Sequence, residues 1–572
     1  MGILSELKDD FIYNTEEKSA TMARQDDGVI VIKIIFDFHP DTLRQVRSLP
    51  GRQYFSLDEP SFWTVPITPE AVQAVIDWGF EVDNNLKKYL QRINQRMVDI
   101  ENGEIPGLQG KLRPFQKSCV AFIERRKGRV LISDSPGCGK TIEALAWLQL
   151  HRDLKPVIIV VPASVKLNWE REIHKWLPKA NVEILSKKKL KIPTGDFIII
   201  NYDILPAWWS TLKQINPQVL ICDEIHYIKS DKALRTKATI KLAKGIPRVI
   251  TMSGTPFKNK PAEIFNAISI TDPSIFPSKR NFLFQYCSPY HNGFGWDFSG
   301  HSNDNELHQR LMSTVMIRRL KKDVMKELPD KSYSFIPMEL SNEKEYRGAE
   351  KDFIAFVMNQ KGMEAAIRAS NAESLAKIEA LKQLAVKGKT EKAISWISDF
   401  LETEEKLVVF ATHKSVIEDL MTEFSEVAVK IDGSVSMKER QKAVDDFQNN
   451  PKVRLFVGNI QAAGVGITLT AASNVAFLEL PWSPSDLSQA EDRCHRMGQK
   501  DAVNVYYLLA AGTIEEKIAK LLDNKRKVVD AILDGRSTEQ ESLLMEIMKE
   551  YTEIKKDDIG KECDDLINKC LY

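Results

Sequence analysis

The chain has 572 residues, 43% hydrophobic and 28% charged, with a net charge of +1. That length exceeds what one core fills and predicts three or four compact units, while near-neutrality excludes a globally basic nucleic-acid binder, so any such surface must be a local patch. The seven cysteines, at positions 119, 138, 222, 287, 494, 563 and 570, include no C-x-x-C pair, which argues against a zinc site or a disulfide framework.

Residues 1–27 form an N-terminal segment. From 28 to 98, "GVIVIKIIFDF" predicts a strand, "HPDTLRQVRSL" a helix, and "YFSLDEPSFWTVPIT" a hairpin-like piece followed by a helix from Pro69, together a small α+β module. Its aromatics Tyr54, Phe55, Phe62 and Trp63, beside Arg52, are either the module's own core or a stacking surface. Further on, short apolar runs recur with helix-length segments between them. "RVLIS", "PVIIVVP" (156–162), "QVLICDE" (218–224) and "RVITMSG" (248–254) fall in a first lobe, 99–275. "KLVVFAT" (406–412), "VRLFVGN" (453–459) and "NVAFLEL" (474–480) fall in a second, 401–525. Nearly continuous apolarity marks parallel strands buried on both faces, so the fold class is α/β with two parallel-sheet lobes. Residues 276–400 are rich in helix formers and predict a linker with helical insertions. The charged stretch 526–572 predicts a C-terminal helical brace. No apolar run approaches the ~18 residues that a membrane span needs.

"DSPGCGKT" (134–141) joins a predicted strand to the predicted helix "TIEALAWLQL". Lys140 would place a cation against phosphates, Thr141 a hydroxyl toward Mg²⁺, and Gly137 and Gly139 would let backbone N–H groups turn inward at a helix N-terminus. However, a phosphate-cradling loop carries glycine where this chain has Asp134, and a plain strand-to-helix turn explains the segment equally well. "CDEIH" then places Asp223 and Glu224 at the end of a buried strand. Adjacent carboxylates are costly to bury unless a cation uses them, so Asp223 is the expected Mg²⁺ ligand, through water, and Glu224 the expected base. In "QAEDRCHRMGQ" (489–499), a helix would put Gln489, Asp492, Arg493 and Arg496 on one face. That face is either a surface salt-bridge stripe or a pair of arginines reaching across a cleft.

Taken together, "LRPFQK", "DSPGCGKT", "VVPASVKLNWEREIHKW", "INYDIL", "DEIH", "MSGTPFKN", "MIRRLKKDVMKELPDK", "IDGSVSMKERQKAVDDFQ", "NIQAAGVGITLTAAS" and "QAEDRCHRMGQ" resemble the motifs of the Swi/Snf-type ATPases of helicase superfamily two, over about 100–530. That family carries an acidic residue at the loop's first position, as Asp134 does here. Within it, "SGTPFKNKPAEIFNAI" and "QYCSPYHNGFGWDFSGHSNDNELHQRL" resemble the annealing-helicase branch, and the N-terminal module is similar to its HARP domain. The resemblance implies two RecA-like lobes, ATP and Mg²⁺ as cofactors, and double-stranded or branched DNA as partner, with no membrane and a monomeric motor. It places the protein in the nucleus if eukaryotic and in the cytoplasm at the nucleoid otherwise.

By the same resemblance, Arg113 and Gln116 would read adenine, Asp134, Ser135, Pro136, Gly137, Cys138, Gly139, Lys140, Thr141 and Gly466 would surround the nucleotide, and Ser253 to Thr255 would couple the lobes. Pro162, Ser164, Lys166, Trp169, Asn201 and Tyr202, with Asp432, Gly433, Ser434, Gln461, Gly464 and Thr468, would line a DNA groove, mostly on phosphates. The implied activity is ATP-driven translocation that rewinds or remodels branched DNA. A motor that displaces proteins from DNA and a DNA-binding module with a vestigial ATP site are the rivals. This chain has Asp-Glu-Ile-His where the family has Asp-Glu-Ala-His.

Overall fold

The structure is a computed structural model that describes residues 18–26, 28–56, 60–186, 191–256, 260–291, 295–298, 300–359, 371–463, 466–520 and Leu522. The brace expected at 526–572 lies outside these residues. Among the described residues no helix is long and apolar enough to cross a membrane.

The N-terminal module is a five-stranded sheet in the order β3-β4-β2-β1-β5, from β1 (Lys18–Arg24), β2 (Ile30–Phe36), β3 (Gln53–Phe55), β4 (Phe62–Pro66) and β5 (Glu81–Val82). Helices Pro40–Ser48 and Pro69–Asp77 cover it, each opening on a proline whose fixed φ suits a first helical turn. Strand β1 lies ahead of the expected start at 28, because "KSATMAR" lacks the apolar run that betrays β2. The aromatics are divided between core and surface. Trp63 packs against the module's core, Tyr54 is 52% exposed beside it, and Phe62 stacks on Phe55 under the Lys33 ammonium, 4.0 Å above its ring.

Helix Asn84–Asn102, capped by Asp83 accepting from the Leu86 N–H, belongs to two cores at once. Leu86 and Leu90 fill the module, and Met97 and Ile100 fill the first lobe. Glu70 adds ion pairs to Arg125 at 2.7 Å and Arg126 at 3.0 Å, so the module is docked on lobe 1.

Lobe 1 is a seven-stranded parallel sheet in the order β14-β6-β11-β10-β7-β9-β8. Its strands are β6 (Arg129–Ile132), β7 (Val157–Val161), β8 (Val182–Ile184), β9 (Phe197–Asn201), β10 (Val219–Asp223), β11 (Arg248–Met252) and, after a small hairpin of β12 (Tyr290–His291) and β13 (Trp296–Asp297), β14 (Met316–Ile317). Successive residues alternate between two cores: Ile198 and Ile200 join one cluster, and Phe197 and Ile199 the other. This two-sided burial is why the runs read as continuously apolar.

Lobe 2 repeats the plan with β15 (Lys331–Met338), β16 (Leu407–Ala411), β17 (Ala428–Ile431), β18 (Leu455–Asn459), β19 (Asn474–Phe477) and β20 (Val503–Ala510), ordered β15-β20-β19-β16-β18-β17 and parallel throughout. Both β14 and β15 come from the stretch expected to link the lobes. The insertion is helical as expected, with helices Glu343–Asn359 and Asn371–Leu401.

Candidate functional site

Parallel sheets present ligands at their carboxyl ends, where strands stop and loops begin. In lobe 1 that edge gathers the loop after β6, Asp223 and Glu224 after β10, and Ser253 after β11. Facing it from lobe 2 are Gly466, Thr468, Arg493 and Arg496. Apart from the fully buried Ser253, they line one cleft of about 330 Å³ with Gly137, Gly139, Lys140, Thr141, Asn168, Glu172, Lys175, Trp176 and Met497.

The loop enters helix Lys140–Leu150 through two glycines with φ of +88° at Gly137 and +97° at Gly139, a region that L side chains avoid. Lys140 Nζ donates to the Asp134 carbonyl at 2.9 Å, which folds the lysine back along the loop. The Asp134 side chain turns away from the cleft. It is fully buried and accepts from the Arg319 backbone N–H at 2.9 Å and from the Arg319 guanidinium. Expected beside the nucleotide, its side chain here anchors the loop. Arg319 also reaches Glu143 at 3.0 Å.

One guanidinium thus serves two buried carboxyls. Burial first, then the charge of Asp134, pushes the Glu143 carboxyl far above the ordinary carboxylate range. A group that keeps its proton in the fold but loses it when unfolded stabilises below its unfolded pKa, and that contribution drains away as pH rises. Glu143→Gln is therefore expected to flatten the fall in melting temperature between about pH 5 and pH 8. Parallel melting curves for the two proteins would contradict this.

Gln116 is 4% exposed and commits both ends of its amide to the protein: Nε2 donates to the Cys138 carbonyl at 3.0 Å and Oε1 accepts from the Arg113 N–H at 3.0 Å. Arg113 pairs with Glu327 and does not line the cleft. As folded here, the adenine-reading pair is a loop support.

Asp223 accepts from the Trp169 indole N–H at 2.9 Å and from the Glu224 N–H at 2.9 Å, and the Tyr202 hydroxyl donates to its carbonyl at 2.7 Å. Burial and then the neighbouring Glu224 charge raise the Asp223 carboxyl. Burial alone would raise Glu224 too, but hydrogen bonding and charge from His226, with Lys140 and Arg493, outweigh it and hold that carboxyl below its ordinary range. Glu224 sits at φ +48°, a left-handed conformation that costs a non-glycine residue ~1–2 kcal/mol. Ser253 Oγ donates to Glu224 Oε2 at 3.1 Å and lies 3.2 Å from His226 Nδ1, and Thr255 Oγ1 lies 2.8 Å from Ser485 Oγ of lobe 2. A chain of polar contacts therefore runs from Glu224 across the lobe boundary.

The arginine segment departs from expectation. Its helix is Pro484–Glu491, and the backbone from Asp492 runs in turns. The four residues do not share a face: Arg493 and Arg496 point into the cleft, whereas Gln489 and Asp492 line a separate pocket with Lys321 and Lys331. Arg493 donates to the Gln489 and Ile467 carbonyls, and Arg496 to the Ile467 carbonyl and Thr468 Oγ1. Among the described residues Arg496 Nε has no hydrogen-bond partner, and burial, then the adjacent Arg496, lowers Arg493 to about 9.

The residues expected to line a DNA groove separate into two groups. Pro162, Lys166, Trp169, Asn201 and Tyr202 are buried. Lys166 donates to the Leu185 carbonyl at 3.1 Å, and Trp169 and Tyr202 hold Asp223. In this fold the side chains of Lys166, Trp169 and Tyr202 support lobe 1, while Ser164 is half-buried. In lobe 2, Gly433, Ser434 and Gln461 are exposed, Asp432 is spent on a turn with Ser434, Thr468 and Gly466 belong to the cleft, and Gly464 lies outside the described residues. Sequence reasoning missed Arg319, Lys321 and Lys331, although "RRLKK" directly after the two apolar residues of β14 was a visible concentration of charge.

The cleft fits a nucleoside triphosphate with a hard divalent cation. It supplies two glycines at a helix N-terminus, a lysine, two arginines, and a hydroxyl and carboxylate of the oxygen type that Mg²⁺ takes. Two parallel-sheet lobes closing on such a cleft define a helicase-type motor core. An SNF2-related domain model matches residues 115–428, more than half of the chain, and a helicase conserved C-terminal domain model matches 376–498. The chain belongs to the SNF2-related family. It is 36% identical over 452 residues to the mouse DNA annealing helicase and endonuclease ZRANB3, covering 75% of this chain and 41% of that one. It is 35% identical over 429 residues to the Xenopus laevis SWI/SNF-related matrix-associated actin-dependent regulator of chromatin subfamily A-like protein 1, covering 74% and 44%. Its Caenorhabditis elegans homolog is 30% identical over 533 residues, covering 88% and 74%. The chain thus spans about two fifths of the length of the mouse relative. The Sulfolobus solfataricus SWI2/SNF2 ATPase core in complex with dsDNA aligns with a TM-score of 0.37 and 26% identity, over 76% of this chain and 95% of that one.

Proposed function

We propose that this chain is a DNA-dependent ATPase that moves along double-stranded DNA and rewinds or remodels branched DNA. The observation that carries the reading is the cleft itself, in which Lys140, Thr141, Asp223 and Glu224 of lobe 1 face Arg493 and Arg496 of lobe 2. Relatives that share most of this chain are named annealing helicases, which favours rewinding as the output.

The nucleotide supplies the phosphoanhydride to be cleaved, and its divalent cation offsets the phosphate charge. Lys140 adds positive charge from the loop, and Thr141 and Asp223 are the residues that would hold the cation. Glu224, kept ionised, accepts a proton from water. Arg493 and Arg496 bring charge from the other lobe, so neither lobe is complete alone. Because one chain supplies both halves, the protein acts as a monomer, in the nucleus of a eukaryotic cell or at the nucleoid otherwise.

ATP hydrolysis with and without duplex DNA, followed by an annealing assay on a partly melted fork and a displacement assay on protein-blocked duplex, tests this. Hydrolysis stimulated by duplex together with strand rewinding is expected. Absence of stimulation would make the ATP site vestigial, and displacement without rewinding would assign the motor a different task.

Gly466 offers a more local test. Its φ is +77°, and an added Cβ would collide with the Val165 side chain of lobe 1, 2.9 Å from that residue's own Cβ. Gly466→Ala is expected to hold the lobes apart and lower turnover by roughly 10²-fold, the scale of an ångström-sized misplacement. Some loss of melting temperature should accompany it, because alanine at this φ is itself strained by ~1–2 kcal/mol. Undiminished turnover would mean that this close approach is not required.

A further inference from the structure

The backbone that leaves β14 keeps pairing after the sheet has ended. Ser133 N–H donates to the Ile317 carbonyl at 2.8 Å, Ser135 N–H to the Arg319 carbonyl at 3.1 Å, and Lys321 N–H to Ser135 Oγ at 3.3 Å. Residues 317–321 thus lie along the glycine loop as an added strand. Their side chains reach further. Arg318 joins the Ser133 carbonyl at 3.1 Å to the Gly254 carbonyl at 3.2 Å, and Arg319 anchors Asp134.

Lys321 leaves lobe 1 altogether. Its ammonium lies 2.8 Å from Asp492 Oδ1 and 2.7 Å from the His495 carbonyl, and the residue is only 9% exposed. Two further ties come from the same stretch of chain. Lys331 sits 2.8 Å from both Glu491 Oε2 and Asp492 Oδ1, and His495 Nε2 donates to the Pro329 carbonyl at 2.7 Å. That hydrogen bond leaves Nδ1 facing the Lys321 ammonium at 3.4 Å, the arrangement of a neutral imidazole.

The helix that carries the arginine segment stops at Glu491, and beyond it the backbone is held by isolated turn bonds, among them Cys494 N–H to the Glu491 carbonyl at 3.2 Å and His495 N–H to the same carbonyl at 3.4 Å. The ties at Asp492 and His495, which bracket Arg493 and end beside Arg496, hold this turn from the lobe 1 side, while the Ile467 carbonyl and Thr468 hold the two guanidinium groups from within lobe 2. A buried ion pair adds little net stability compared with apolar packing, so stability alone does not account for a lysine at this place.

We propose that residues 318–321 are a strap that couples the glycine loop to the arginine segment, with Lys321 as the positioning residue for Arg493 and Arg496. A shift of the loop moves the strap backbone bonded to it, and Lys321 transmits that shift to the turn that aims both guanidinium groups. The proposal rests on reading the cleft as an ATPase site for its kinetic consequence, but its structural consequence is independent of that reading.

The test uses the full chain with Lys321→Met, Lys321→Arg, Asp492→Asn and the double variant Lys321→Met with Asp492→Asn. Lys331 remains opposite Asp492 in Lys321→Met, so the carboxylate keeps a counter-charge and the fold is expected to survive. Hydrogen exchange read by mass spectrometry should rise by roughly tenfold or more in peptides covering 492–499, with no change across β16 in the lobe 2 core. In DNA-stimulated hydrolysis, kcat should fall roughly 10²-fold, with KM for ATP little changed. Lys321→Arg should recover most of both losses, and the double variant should be no worse than the poorer single one, as for residues that act as a unit. Unchanged exchange over 492–499 in Lys321→Met overturns the proposal, as does unchanged kcat in a protein that hydrolyses ATP. If the parent hydrolyses no ATP, the reading of the cleft fails, and the exchange experiment still decides the strap.

Discussion

Replacing Arg496 with alanine is expected to lower DNA-stimulated ATP turnover by roughly 10³-fold or more, the scale of removing an arginine that supplies transition-state charge. Its guanidinium is held on one side by the Ile467 carbonyl and Thr468 Oγ1, while among the described residues its buried Nε has no partner. That combination suits a group kept in place for a ligand. Arg493 is different. It is 3% exposed and donates to the Gln489 and Ile467 carbonyls, so Arg493→Ala should lose folding stability along with turnover. Single-turnover hydrolysis at saturating DNA, with thermal melting alongside, separates the two effects. Normal turnover in Arg496→Ala would leave that residue as a local brace of the 466–468 loop.

Glu224→Gln and Lys140→Ala are expected to fail in different ways. The glutamine keeps the shape and the contacts with Ser253 and His226 but cannot take a proton, so nucleotide should still bind while turnover drops by roughly 10²–10⁴-fold. Lys140→Ala removes the loop's cation and the bond to the Asp134 carbonyl, so binding itself should be lost. Equilibrium binding of a fluorescent ATP analogue, compared with steady-state turnover, checks the division. Equal loss of affinity in both variants would collapse it.

Much of this was legible in the residues. Seven apolar runs became strands because burial on both faces leaves no polar alternation to mistake. The glycine loop, the Asp-Glu pair and the two arginines converged on one cleft as their chemistry suggested. The rest was hidden for physical reasons. Strands β1, β5 and β14 are too polar or too short to produce a periodic signal, and the pairing of β5 with β1 and of β14 with β6 is decided by neighbours distant in sequence. Period alone placed Arg493 and Arg496 on one helical face with Gln489 and Asp492, but period does not say where a helix ends. Trp169 and Tyr202 were expected in the groove from the family resemblance alone, and their burial could not be read from residue type. Their polar atoms in fact hold Asp223 from below. Arg319 stood in plain view within "RRLKK", yet its partner Asp134 lies 185 positions earlier.

That separation bears on how the protein is made. A growing chain emerges from its amino end, and domains generally fold in that order. When β11 has been synthesised, six strands of the first lobe exist, but the loop's anchoring carboxylate is still without its guanidinium, and the sheet edge beside β6 is open. The glycine loop can take up its described shape only after about another 70 residues have been added, an estimate from the spacing of β11 and Arg319. A lobe cut at the apparent end of its own sheet would therefore bury Asp134 uncompensated, and the smallest autonomous unit of this fold extends well into what reads as the connection between its halves.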